Sequence, residues 1–91
     1  MKQCLVSILV VSYNDEKYIE KTLRSCLAQS YPDFEILILD NASSDCTVGI
    51  IRGVDDFRIT LFEGKENIGP YAGLNFLLEK ANGEYVAIQD H

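Results

Sequence analysis

The stretch that most constrains this chain is Phe34 to Asp45, Phe-Glu-Ile-Leu-Ile-Leu-Asp-Asn-Ala-Ser-Ser-Asp, where an aliphatic run ends at a carboxylate and gives way to a polar turn. The unbroken apolar segment Ile36 to Leu39 suits a strand buried on both faces, as in a parallel sheet. The turn after it then lies at the strand's carboxyl end. Ligands bind at that edge of open α/β sheets, because the loops leaving the strands direct polar groups and helix N-termini into a shared crevice. Asp40 and Asn41 are accordingly the first candidates for chemistry. The competing reading makes Asp40 a turn cap bonded to its own backbone.

Upstream, Leu5 to Val11 is apolar but for Ser7 and predicts a second doubly buried strand, ended by Ser12-Tyr13-Asn14. Asn14 or Asp15 is the expected N-cap of a helix whose apolar residues Ile19, Leu23, Cys26 and Leu27 recur at helical spacing. Ser30 to Asp33, with Pro32, breaks that helix, so Leu5 to Leu39 reads as a βαβ unit with a right-handed crossover. Downstream, Ser43 or Ser44 is expected to cap a helix over roughly Asp45 to Arg52, with Val48 and Ile51 inward. Gly49 in its interior costs about 1 kcal/mol relative to Ala.

Asp55-Asp56 predicts a turn, and Arg58 to Glu63 a short strand near the sheet edge. After the loop Lys65 to Gly69, Pro70 suits the first turn of a third helix, where its missing N–H would have no partner anyway. Leu74, Leu77, Leu78 and Ala81 are that helix's expected core face, and Gly83 its left-handed stop. Tyr85 to Ile88 is the last strand and leads into Gln89-Asp90-His91. An acidic tip on a strand repeats the device at Asp40, and domains seldom finish where a loop begins to present chemistry. Residues 1–91 are therefore expected to be a piece of a larger domain.

The charge balance narrows the function. With 8 Lys and Arg against 14 Asp and Glu, a net charge of −6, the chain lacks the clustered cations that bind nucleic acid. A small phosphate-bearing ligand remains possible if a divalent cation or backbone amides offset the repulsion. No run approaches the roughly 20 apolar residues of a membrane span, and the N-terminus is too short and too soon interrupted for a secretory signal, so a cytoplasmic setting is expected. Cys4, Cys26 and Cys46 are odd in number and widely spaced, which suggests neither zinc nor a disulfide framework but reduced core residues.

Three ordered segments, Ser7-Ile-Leu-Val-Val-Ser-Tyr-Asn14, Ile36-Leu-Ile-Leu-Asp-Asn-Ala-Ser-Ser-Asp45 and Gly83-Glu-Tyr-Val-Ala-Ile-Gln-Asp90, together with Asn67-Ile-Gly69, Ala72 and Asn75, resemble the N-terminal half of family-two glycosyltransferases with the GT-A fold. The resemblance spans essentially the whole chain. It implies a three-layer, Rossmann-like α/β domain, with about four parallel strands in the order 3-2-1-4 and helices on both faces.

The resemblance also implies a nucleotide-diphosphosugar site. Ser12, Tyr13 and Asn14 would lie against the nucleoside, with the Tyr13 ring beside the base. Asp40 and Asn41 end the second strand, Asn41 standing where the family commonly has an Asp that contacts the base ring N–H. Gly69 and Asn75 belong to the loop and helix before the last strand. Asp90 is the first acid of the Asp-x-Asp motif, which handles the ribose and the divalent metal, Mn or Mg, on the diphosphate.

The implied reaction is inverting, metal-dependent transfer to an acceptor hydroxyl, with the catalytic base beyond His91. The acceptor, whether glycan, lipid-linked or polysaccharide, stays open, and a UDP- or dTDP-linked donor fits the chemistry of Asn41. The 91 residues alone would bind donor without transferring sugar, would expose an apolar edge that favours self-association, and in the parent would work at the inner face of the membrane.

Each site residue has a structural alternative. Tyr13 may be read as packing at a strand end, Asn41 as a turn residue, Asp45 as a helix-start charge, Gly69 as a loop glycine, Asn75 as a helix residue bonded to a turn, and His91 as incidental. The sequence also departs from the family pattern, with Leu74 where an Arg is frequent and Val11-Ser12 in place of a proline-containing strand end. Two rival classes are nucleotide-binding or receiver-like modules without transferase activity, and dinucleotide-dependent oxidoreductases. A receiver needs an acidic pair near the first strand and a Lys at a later strand end. The oxidoreductase needs Gly-x-Gly-x-x-Gly, and Ser12-Tyr13-Asn14 supplies no glycine.

Overall fold

A computed structural model describes residues 6–29 and 33–89 of the chain. In order come β1 (Val6–Ser12), α1 (Ile19–Leu27), β2 (Phe34–Asp40), α2 (Thr47–Gly53), β3 (Ile59–Glu63), α3 (Gly69–Lys80) and β4 (Tyr85–Ile88). All strand pairings are parallel and the sheet order is β3-β2-β1-β4, as expected. β1 and β2 pair from Val6 opposite Phe34 to Ser12 opposite Asp40, so the two central strands end level with each other.

Strand alternation sorts the side chains into two cores. Val6, Ile8 and Val10 with Phe34, Ile36 and Ile38 pack against Ile19, Leu23 and Cys26 of α1 and Ile51 of α2. Leu9, Leu37 and Leu39 point the other way, onto Leu77 of α3. Both faces of the central strands are thus covered, which is why their sequences are continuously aliphatic rather than alternating. Gly73 lets α3 approach the sheet closely, since a Cβ there would stand 3.2 Å from methyls of Leu39 and Val11.

Buried Ser7 is explained by a clasp. Its hydroxyl donates to Glu35 at 2.6 Å and accepts the Gly83 N–H at 2.8 Å, while Glu35 also accepts the Asn82 N–H at 2.8 Å. The clasp ties the α3–β4 turn to both central strands. Gly83 is therefore not a left-handed helix stop. α3 ends at Ala81 in extended conformation (φ −69°, ψ 136°), and glycine is required at position 83 because a Cβ would lie 2.6 Å from the Ser7 nitrogen.

Other local expectations shift as well. α1 starts at Ile19 with Tyr18 at its N-cap, not Asn14 or Asp15, because an intervening turn uses the Asp15 carbonyl to accept the N–H groups of Tyr18 and Ile19. α2 starts at Thr47, and the Asp45 carboxylate, rather than Ser43 or Ser44, accepts the Thr47 N–H at 2.9 Å. Leu78 is 47 % exposed, so the inward side of α3 runs through Gly73, Leu74, Leu77 and Ala81. Among the described residues β4 pairs only with β1 and leaves Tyr85, Val86 and Ile88 exposed.

Cys26 is a core residue whose thiol pKa is pushed up by burial, whereas Cys46 is exposed; Cys4 lies outside the described residues. Among the described residues no helix is long and apolar enough to cross a membrane.

Candidate functional site at the carboxyl ends of β1 and β4

Because β1 and β2 end level, the loops that leave them are stitched together. Ser12 Oγ donates to Asp40 Oδ1 at 2.8 Å, and Ser43 donates to the same carboxylate through Oγ at 2.6 Å and through N–H at 2.9 Å. The Asn41 N–H donates to the Ser12 carbonyl at 2.8 Å, carrying the connection one residue past β2.

Asn14, in the left-handed region at φ 46°, donates its N–H to Ser43 Oγ and accepts the Ser44 N–H at Oδ1, both at 2.8 Å. Further out, the Asp15 N–H donates to Thr47 Oγ1 at 2.8 Å. The Glu16 N–H donates to Asp45 at 3.3 Å, and the Cys46 N–H donates to Glu16 at 2.9 Å. Desolvation would raise the Asp45 pKa, but hydrogen bonds from the Thr47 side chain and backbone and from the Glu16 backbone outweigh it and hold the carboxyl below its ordinary value.

In front of this stitching opens a cleft of about 400 Å³. Ser12, Tyr13 and Asp15 line it from the β1 loop, Asn67, Pro70 and Leu74 from the start of α3, and Ile88 and Gln89 from the end of β4. Asn41 borders it from the end of β2. Val11, Pro70, Leu74 and Ile88 give it an apolar side suited to a flat ring, and the Tyr13 ring, 52 % exposed, stands at its edge.

The structure thus brings Ser12, Tyr13 and Asn41 to one cleft. Ser12 is buried and its hydroxyl is committed to Asp40. Asn41 is 2 % exposed; its Nδ2 donates to the Gly69 carbonyl at 3.2 Å and its Oδ1 accepts the Ile68 N–H at 3.4 Å. Gly69 stands at the start of α3 with φ 85°, bonded to Asn41 through its carbonyl.

Three other predicted site residues stand apart. Asp40 is 1 % exposed, takes three hydrogen bonds from Ser12 and Ser43, and does not line the cleft. Asn14 spends its side-chain oxygen on Ser44, and Asn75 is exposed on α3 and does not line the cleft. Asp90 and His91 lie outside the described residues, directly after Gln89.

Reading the sequence missed Asp15, Asn67, Pro70 and Gln89 as lining residues. Asp15 and Gln89 carry a usable signal, since each lies just past a strand end, whereas Asn67 and Pro70 reach the cleft only through the placement of α3. Among the described residues no group of three His, Cys, Asp or Glu is placed to hold a metal. Among the described residues the polar lining consists of hydroxyl, carboxylate and amide groups without His or Cys, a donor set that suits a hard cation such as Mn or Mg once further oxygens join it.

A three-layer parallel sheet of this order, with its cleft at the strand carboxyl ends, defines a GT-A-type α/β fold. The profile for glycosyl transferase family 2 matches residues 7–91, and the chain belongs to that family.

Among similar proteins, an uncharacterized glycosyltransferase of Haemophilus influenzae is 39 % identical over 92 residues, covering 99 % of this chain and 37 % of the relative. The Escherichia coli UDP-Glc:alpha-D-GlcNAc-diphosphoundecaprenol beta-1,3-glucosyltransferase WfaP is 37 % identical over 86 residues, covering 94 % and 34 %. Of solved structures, S. aureus TarS 1–349 in complex with UDP-GlcNAc matches with TM-score 0.87 at 32 % identity, covering 94 % of this chain and 26 % of that one. The mannosyltransferase PcManGT from Pyrobaculum calidifontis, in complex with GDP-Man and Mn2+, matches with TM-score 0.83 at 33 % identity, covering 94 % and 27 %. The chain spans about a third of the length of the curated relatives it matches.

Proposed function

We propose that this chain forms the donor side of a glycosyltransferase that moves a sugar from a nucleotide-diphosphosugar to an acceptor hydroxyl, with inversion at the anomeric carbon. The observation that carries the reading is the cleft itself, where an exposed Tyr13 ring and an apolar side built from Val11, Pro70 and Leu74 stand beside the residue that precedes Asp90. A base lies along Tyr13, and the sugar-diphosphate runs toward Gln89 and Asp90. Ser12 and Asp40 act from below, holding the β1 and β2 loops at fixed spacing. Asn14 holds the outer part of the same loop through Ser43 and Ser44. Asn75, exposed on α3, is assigned to the outer margin of the donor.

Asp90, with oxygens of the donor diphosphate, would hold the divalent ion, Mn or Mg, which when bound neutralises charge on the departing nucleoside diphosphate. The base that deprotonates the acceptor is assigned beyond His91. A UDP- or dTDP-linked donor is favoured, because a UDP-GlcNAc complex and a UDP-Glc enzyme stand among the similar proteins, although GDP-Man stands there too. The diphosphoundecaprenol substrate in the name of the E. coli relative supports a lipid-linked acceptor, and we assign the reaction to the cytoplasm, at the inner face of the membrane.

Calorimetry with UDP, GDP and uridine, each with manganese or with chelator, tests this. Diphosphates should bind more weakly when the metal is removed, uridine should be indifferent to it, and Tyr13→Ala should weaken all three. Failure of UDP and GDP alike to bind with manganese present would overturn the donor-site reading.

A further inference from the structure

Residues 64–68 connect β3 to α3 with little side-chain packing, and Lys65, Glu66, Asn67 and Ile68 are all exposed. Space opens on both sides of the loop: the cleft of about 400 Å³ on one, and on the other a cavity of about 450 Å³ walled by Leu61, Phe62 and Phe76. Asn41 borders both. A segment so placed is held by hydrogen bonds at its ends rather than by burial.

At the start of the loop, the Gly64 N–H donates to the Asp40 carbonyl at 2.8 Å, an approach so close that a Cβ on Gly64 would stand 2.9 Å from that oxygen. At its end, the Asn41 side chain takes hold of the backbone of two successive residues, donating to the Gly69 carbonyl at 3.2 Å and accepting the Ile68 N–H at 3.4 Å. Asn67 Oδ1 accepts the Gly69 N–H at 2.9 Å, and Gly69 at φ 85° turns the chain into α3. The loop is thus fastened at both ends to adjacent residues at the tip of β2.

The geometry points to Asn41 as a positioning residue: its amide latches loop 64–69 so that Asn67 and Pro70 stand as a wall of the nucleotide cleft, and it does not itself read the base. The inference rests on the donor-site reading of the cleft. Both functional ends of the amide are engaged by loop backbone, so a base that used them would compete with the loop. The latch needs one donor and one acceptor, which an amide supplies and a carboxylate does not. An aspartate would set an oxygen against the Gly69 carbonyl, although it would keep an acceptor for a base ring N–H.

Amide hydrogen exchange and nucleotide binding of Asn41→Ala and Asn41→Asp separate the two roles. The latch predicts that the Ile68 amide of Asn41→Ala exchanges about tenfold faster, while the Val10 and Ile38 amides of the central strands keep their protection. It also predicts that both variants bind UDP and GDP more weakly in equal proportion, about fivefold to tenfold. If Asn41→Asp binds UDP as well as the unaltered chain does, or Asn41→Ala shifts the UDP-to-GDP preference more than about tenfold with Ile68 exchange unchanged, Asn41 reads the base and the latch is overturned. If the unaltered chain binds neither nucleotide, the donor-site reading fails separately. Exchange at Ile68 then decides the latch alone, and an unchanged rate in Asn41→Ala overturns it.

Discussion

Ser12 and Asp40 face each other across the last rung of the β1–β2 ladder, and the hydroxyl of the first donates to the buried carboxylate of the second at 2.8 Å. The carboxylate that stood first among the candidates for chemistry is thereby made into a joint between two loops, and the cleft forms in front of it.

Removing one side of that joint should be costly. Ser12→Ala deprives a buried carboxylate of one of its three donors, and a lost hydrogen bond to a charged group costs about 1.5–3 kcal/mol. Asp40→Ala strands the donors of Ser12 and Ser43 and should cost at least as much. Urea denaturation of both variants checks this; a change below about 0.5 kcal/mol for Asp40→Ala would show that the joint does not hold the loops.

Two glycines should respond in opposite directions to alanine. At Gly83 the new Cβ would lie 2.6 Å from the Ser7 nitrogen and 2.8 Å from the Val6 carbonyl carbon, so the clasp must open at a cost of about 1–3 kcal/mol. At Gly49, inside α2, nothing lies within 4 Å, and Gly49→Ala should stabilise by about 0.4–1 kcal/mol. Thermal melts of the two variants should move apart.

Acid should weaken the fold through Asp56 and Asp45. Side-chain and backbone hydrogen bonds from Arg58, with its charge, hold the Asp56 carboxyl at about 2 against an ordinary 3.8, and Asp45 is also lowered. Both carboxyls are more acidic folded than unfolded, so their contribution is present above about 3.8 and is lost as pH falls toward about 2. Denaturation midpoints at pH 5 and pH 2.5 should differ less in Asp56→Asn than in the unaltered chain.

The free edge of β4 should drive association. Tyr85, Val86 and Ile88 are exposed on a strand that, among the described residues, is hydrogen-bonded on one side only, the condition for edge-to-edge pairing. Sedimentation velocity should show concentration-dependent self-association, reduced by Val86→Lys or Ile88→Lys. Monomeric behaviour of the unaltered chain at high concentration would refute it.

The sequence by itself determined the architecture. The aliphatic runs Leu5 to Val11 and Ile36 to Leu39 have nowhere to be buried except in the middle of a parallel sheet covered on both faces, and the helical spacing of Ile19, Leu23 and Cys26 supplies one of the covers. It also marked the strand ends where Ser12, Tyr13 and Asn41 meet. What it left open was which polar groups face the cleft and which are consumed inside the protein. The bonds that decide this, Ser12 to Asp40, Asn14 to Ser43 and Ser44, and Asn41 to Ile68 and Gly69, join residues 27 to 30 positions apart. They exist because parallel register brings the ends of β1 and β2 level and because Gly73 lets α3 settle onto the sheet. No local spacing encodes such distances, so Asp40 could read as an exposed acid and Gly83 as a helix stop until tertiary packing placed Ser12 against one and Ser7 against the other.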